Sequence, residues 1–325
     1  MTLPTWLVLV VIVPAFGTGL WYFRHAWKIS RYEFIALCVA IAYGMTIEVM
    51  AIRKTEQYDY ANLWLMFGAS PDWVPWAIGV CWAIMTYVAM RTTDRLGVPW
   101  WQRPVLDGAI ATTIDLMLDP VMSSSKWVTE AGASCMHTPV PTFGGLGVWT
   151  WCVPNGSSGL WFTVPFSNFL GWFLVIMFIS LFIRIGKEWL GGVSRPWPAQ
   201  LLLLVVMAAC ALGACVVVGN ATNARNIGVT GQWIVTGGLY AAALAVLVVH
   251  RRRLNLRNPI DPGLLAWPVT AYVTWPALFV IERIDASSWP GSALAMAAVV
   301  LLGIGLLLLP SVGVLRRARP AVTMR

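Results

Sequence analysis

Nine long apolar segments, at about 5–23, 31–51, 73–91, 103–122, 165–185, 198–219, 230–250, 263–282 and 290–310, leave this chain few ways to fold. A helix rises about 1.5 Å per residue and a bilayer's hydrocarbon core is about 30 Å thick, so about 20 residues cross it. Inside lipid every backbone polar group must pair within its own segment or a closed barrel. The short polar–apolar alternation of barrel strands is missing, which leaves helices. Composition agrees: 58% of residues are hydrophobic and 11% charged, against about 25% charged in soluble domains. The expected fold is all-α, one polytopic membrane bundle over residues 1–325 with about nine transmembrane helices and no separate soluble domain.

The net charge of +8 is then an asymmetry of loops rather than a nucleic-acid signal. Only Arg53, Lys54, Lys126, Arg225 and Arg283 lie on one side of the alternating loops. The other basic residues, from Arg24 and Lys28 through Arg184, Lys187 and Arg251–Arg253 to Arg325, fall on the other. The positive-inside rule puts the N-terminus outside and the C-terminus inside an inner (cytoplasmic) membrane. The N-terminal stretch lacks a basic n-region and a small-x-small cleavage site, so it is expected to be a retained first span kinked at Pro14.

With that orientation the intramembrane acids gather toward the external leaflet. Asp115 and Asp119 stand four residues apart, on one helix face about 6 Å apart. Each costs roughly 3 kcal/mol or more at mid-depth, so such residues face a cavity, a partner or a substrate. Close carboxyls resist double ionisation, so one can stay protonated while the other accepts a hydrogen bond. A D-x-x-x-D face can instead hold Mg²⁺ against a diphosphate. Structurally, Asp119 could simply cap the helix before Pro120 while Asp115 bonds a neighbouring Thr or Asn. Glu48, in AIAYGMTIEVMAI, is either an interfacial partner of Arg53 or Lys54 or an acid kept protonated by dry surroundings.

The external loops add aromatic and polar groups. Tyr58-Asp59-Tyr60 precedes Asn62 and Trp64, and the run Asn220, Asn223, Arg225, Asn226 follows the sixth span. The longest loop, 123–164, is rich in Ser, Thr, Gly, Pro and Trp and reads as an ordered, partly interfacial cap. Cys135 and Cys152 share it on the oxidising side, where a disulfide could close it. His25, His137 and His250 form no metal-spaced cluster with the cysteines, and no Walker or G-x-G-x-x-G pattern occurs. No metal and no redox cofactor is signalled.

Glu48, Tyr58-Asp59-Tyr60, Pro75 and Trp82, Asp115-Leu-Met-Leu-Asp119-Pro120, Trp149 and Trp151, and Val164-Pro165-Phe-Ser-Asn168-Phe-Leu-Gly171-Trp172 occur in that order. The series, over about residues 40–180, resembles the membrane-bound carotenoid biosynthesis family of CruF-like carotenoid 1,2-hydratases and bisanhydrobacterioruberin hydratases. The resemblance implies addition of water to the terminal C=C bond of an acyclic carotenoid end group. It implies no cofactor, a long apolar substrate entering from the lipid, and neighbouring carotenoid-pathway enzymes as partners. On this reading Asp115 or Glu48 donates the proton, with Asp119 and Asp59 as the other catalytic carboxylates. Asn168, Tyr58, Tyr60, Trp82, Trp151 and Trp172 bind substrate or water.

Three rivals stand beside it. A UbiA-type Mg²⁺-dependent prenyltransferase would want a second aspartate-rich motif and cytoplasmic carboxylates. A lycopene cyclase protonates the same end group but closes a ring. A non-enzymatic carotenoid- or lipid-binding subunit, or a small transporter, would share the cavity without needing the acids.

Overall fold

The computed structural model describes residues 5–55, 58–70, 72–123, 148–151, 160–162, 164–254, 262–282 and 291–308. Among them lie nine α-helices: α1 (Thr5–Ile29), α2 (Arg31–Thr55), α3 (Trp76–Thr93), α4 (Arg103–Ser123), α5 (Phe166–Arg184), α6 (Trp197–Ala221), α7 (Ala224–Val249), α8 (Pro262–Glu282) and α9 (Gly291–Leu308). Each falls on one of the nine apolar segments. Four of them, α2, α5, α6 and α7, are long and apolar enough to cross a membrane by length and composition.

Helix α4 is the axis of the bundle, packed by α3, α5, α7, α8 and α9. It carries Asp107, Thr112, Thr113, Asp115 and Asp119, all buried, and a helix so polar cannot face lipid. Its threonines settle their own hydroxyls, Thr112 donating to Gly108 O at 2.8 Å and Thr113 to Ile110 O at 2.7 Å. The rim is the reverse. Helices α6 and α7 expose Leu202, Val217, Ile234 and Val249, the apolar faces that a bilayer solvates.

Two glycines permit close helix contacts. A Cβ at Gly44 would meet Trp82 Cβ at 2.5 Å, and one at Gly108 would meet the Phe173 ring and backbone oxygen at 2.8 Å. Gly44→Ala must therefore push α2 away from α3, at a cost of about 1–3 kcal/mol. We expect a lower thermal midpoint in detergent, whereas Gly17→Ala, with nothing within 4 Å of its Cβ, should show no loss.

Short strands tie the helix ends on one side of the bundle. Strand β1 (Tyr58–Tyr60) pairs with β4 (Trp149–Trp151), β2 (Met66–Phe67) with β3 (Val74–Pro75), and β5 (Leu160–Trp161) with β6 (Val164–Pro165), all antiparallel. An all-α reading did not anticipate them, because two or three residues are too few for a period of two to show. β3 and β6 are both Val-Pro and each leads directly into a helix. Their prolines sit at φ −65° and −58°, so α3 and α5 start in the same way. Part of the expected cap, β4 to β6, is thus built into the fold. The proposed Cys135–Cys152 pair lies outside the described residues.

At the opposite end, Arg184 is buried at 2% exposure between α3, α4 and α5. It donates to Asp94 Oδ1, to Asp107 Oδ2 at 3.0 Å, to Thr93 Oγ1 at 2.9 Å and to Met90 O at 3.3 Å. Thr93 in turn donates to Asp107 Oδ1 at 2.5 Å, and Arg103 to Asp94 Oδ1 at 2.8 Å. Burial opposes charge on Asp94, yet the surrounding Arg184, Lys187 and Arg103 hold its carboxyl at about 2. Arg184, counted in the sequence only as a loop charge, is a structural tie of three helices.

Candidate active site

A cavity of about 530 Å³ opens among the helices at the end where α2 and α4 finish and α3 and α5 begin. Residues far apart in sequence reach it for simple reasons. Glu48 lies in the last third of α2, Asp115 and Asp119 lie one turn apart late in α4, and Asn168 and Trp172 lie one turn apart at the start of α5. Trp82 comes from α3, Tyr58 and Tyr60 from β1, and Trp149 and Trp151 from β4. In a strand, alternate residues share a face, and β1 pairs Tyr58 with Trp151 and Tyr60 with Trp149. The four rings thus cover the cavity as a lid, Tyr58 to Trp151 at 4.7 Å and Tyr60 to Trp149 at 5.8 Å.

Two carboxyl stations face this space. At the first, Glu48 Oε2 accepts from the Tyr58 hydroxyl at 2.5 Å and the Tyr60 hydroxyl at 2.9 Å, while Oε1 accepts from Trp82 Nε1 at 2.8 Å. Burial and the neighbouring Glu48 push both phenols well above their usual range, so they remain donors. Trp82 stacks on Trp172 with ring centres 3.8 Å apart. At the second station, Asn168 Nδ2 donates to Asp115 Oδ2 at 3.0 Å and to Asp119 Oδ2 at 2.5 Å. Asp115 Oδ1 and Trp151 Nε1 are buried with no hydrogen-bond partner among the described residues.

Nine of the ten residues expected to form the site therefore line one cavity: Glu48, Asp115, Asp119, Asn168, Tyr58, Tyr60, Trp82, Trp151 and Trp172. Asp59 does not. It sits between Tyr58 and Tyr60, opposite Thr150, and strand alternation sends it to the other face, buried but away from the cavity. The structural alternatives also change. Arg53 pairs with Asp72 at 2.8 Å rather than with Glu48. Asp119 does not end its helix, since α4 runs through Pro120 to Ser123. Asp115 does bond a neighbouring asparagine, Asn168, and that bond is part of the cluster itself.

Comparison with known proteins adds no relative: no family model, no curated protein and no solved structure matches the chain.

Trp149 and Gln232 also line the cavity, beyond the residues that the sequence assigns to the site. Trp149 follows from β1 once Trp151 is placed, because i and i+2 share a strand face. Gln232, from α7, had no local signal. Asn220, Asn223 and Arg225 of the polar run are also among the cavity's lining residues. Among the described residues no three His, Cys, Asp or Glu side chains converge to hold a metal ion.

Proposed function

We propose that the chain is an integral membrane hydratase that adds water to the terminal C=C bond of an acyclic carotenoid end group. The observation that carries this reading is Asp115 Oδ1, a carboxyl oxygen buried at a cavity wall of indoles and phenols without a partner among the described residues. Protonating a trisubstituted alkene leaves a tertiary cation, so the reaction needs an acid in dry surroundings, aromatic faces and one water. Glu48 fits the acid role less well, since its two oxygens already accept three hydrogen bonds. Asp115 and Asp119 share one amide donor and no Lys or Arg pairs with either among the described residues. A proton held between them relieves their repulsion.

In the proposed step the Asp115 O–H proton passes to the less substituted alkene carbon. The π pair forms the new C–H bond and leaves the neighbouring carbon cationic. Indole faces such as those of Trp82 and Trp172 stabilise that charge by about 1–2 kcal/mol each when dry. A water oxygen then bonds to the cation and its proton returns to the aspartate pair. Atoms and charge balance with water as the sole co-substrate. Glu48 stays in place, anchoring Tyr58, Tyr60 and Trp82.

The reading includes nine membrane spans, the N-terminus outside, and the site toward the external leaflet of the inner membrane, as the basic loops suggest. A polyene would enter between helices from the lipid. Expression in lycopene-accumulating cells tests the function: the pigments should gain the mass of one water per reacted end. Unchanged pigments would refute hydration, and a ring product of unchanged mass would turn the assignment to a cyclase.

A further inference from the structure

Strand β4 packs on helix α4, and both contribute side chains to the cavity wall. Residues i and i+2 of a strand stand about 6.8 Å apart, and i and i+4 of a helix about 6 Å. Trp149 and Trp151 present two indoles, and Asp119 and Asp115 two carboxyls, to one cavity, β4 being packed on α4. On that wall Trp151 Nε1, a buried donor, and Asp115 Oδ1, a buried acceptor, both lack a partner among the described residues. Tyr58 packs against the Trp151 ring at 4.7 Å, and the β1–β4 register holds that strand in place. Leaving two buried polar groups unmatched is costly, and one kind of group satisfies both. A hydroxyl oxygen accepts from an indole N–H and donates its own proton to a carboxyl oxygen.

We propose that Trp151 Nε1 and Asp115 Oδ1 form a two-point subsite for a single hydroxyl oxygen, whose organic ligand is the tertiary alcohol end of an isoprenoid chain. The inference rests on the hydratase reading for that choice of ligand. Water occupies the subsite before addition and the product's hydroxyl after it. Trp151 is a positioning residue: it holds the oxygen, and Asp115 exchanges the proton with it.

The test separates the subsite from the reaction. Detergent-solubilised protein is equilibrated with equal amounts of 2-methylhexadecan-2-ol and 2-methylhexadecane, and the retained ratio is measured by gas chromatography against empty micelles. The intact protein should enrich the alcohol about five- to tenfold over the alkane, the worth of about one hydrogen bond. Trp151→Phe keeps the ring and removes the donor, so the enrichment should fall toward that of micelles while alkane retention is unchanged. No enrichment in the intact protein, or equal enrichment in Trp151→Phe, overturns the subsite. Enrichment that depends on Trp151, in a protein that never hydrates lycopene, keeps the subsite and discards the reaction.

Discussion

Asp115→Asn should cut conversion of lycopene about a thousandfold while leaving the helix content and pigment binding intact. General acid catalysis contributes roughly 10²–10⁴ in rate, and the amide has nearly the carboxyl's shape but no acidic proton. The substitution also leaves the rest of the wall in place: Glu48 keeps Tyr58, Tyr60 and Trp82. A purely pigment-binding subunit would be indifferent to this change, so the variant divides an enzyme from a carrier. Glu48→Gln should lose turnover as well, for a different reason. Its amide would set an N–H against one of three donors and loosen the lid, so pigment retention should fall with activity. Full turnover in Asp115→Asn would move the acid elsewhere.

The second large effect lies at the other end of the bundle. Arg184→Met should destabilise the protein by about 3–5 kcal/mol, because it leaves a buried carboxylate without its cation. Asp107 is fully buried and its only charged partner among the described ion pairs is Arg184, whereas Asp94 keeps Arg103 at 2.8 Å. Combining Arg184→Met with Asp107→Leu should recover much of the loss, since replacing both members of a buried pair by apolar groups is often nearly neutral. Thermal unfolding in detergent measures both. Asp94→Asn should cost less than Arg184→Met, because Arg184 keeps Asp107 at 3.0 Å and Asp94 is the more exposed of the two carboxylates. Additive losses in the double variant would mean that the pair is not the coupled unit described.

The apolar segments announced the helices because length alone decides them in lipid. The pair Asp115 and Asp119 was legible for a related reason: a carboxyl in such a segment has no inexpensive place, and spacing by four sets the two on one face. The up-and-down alternation of the apolar segments puts Glu48, Asp115 and Asn168 at one end of the bundle, which is where the structure gathers them. Asp59 lies outside the cavity lining, which the run Tyr58-Asp59-Tyr60 does not show by itself and only the pairing with β4 reveals. Trp149 and the partnerships of the lid were hidden for the same reason: β1 and β4 lie about ninety residues apart and each is three residues long. Arg184 was obscured by its usefulness in counting charges, though an Arg and an Asp107 entering apolar helices at the same end were already a pair in waiting.

The most direct test of the central claim is hydration of lycopene by membranes suspended in deuterium oxide, followed by exchange back into ordinary water. If a carboxyl proton passes to the alkene carbon, each tertiary alcohol formed retains one carbon-bound deuterium, read by mass spectrometry, and Asp115→Asn forms almost none of this product. An alcohol that carries no carbon-bound deuterium would contradict the account, since its oxygen would then have arrived without protonation of the double bond.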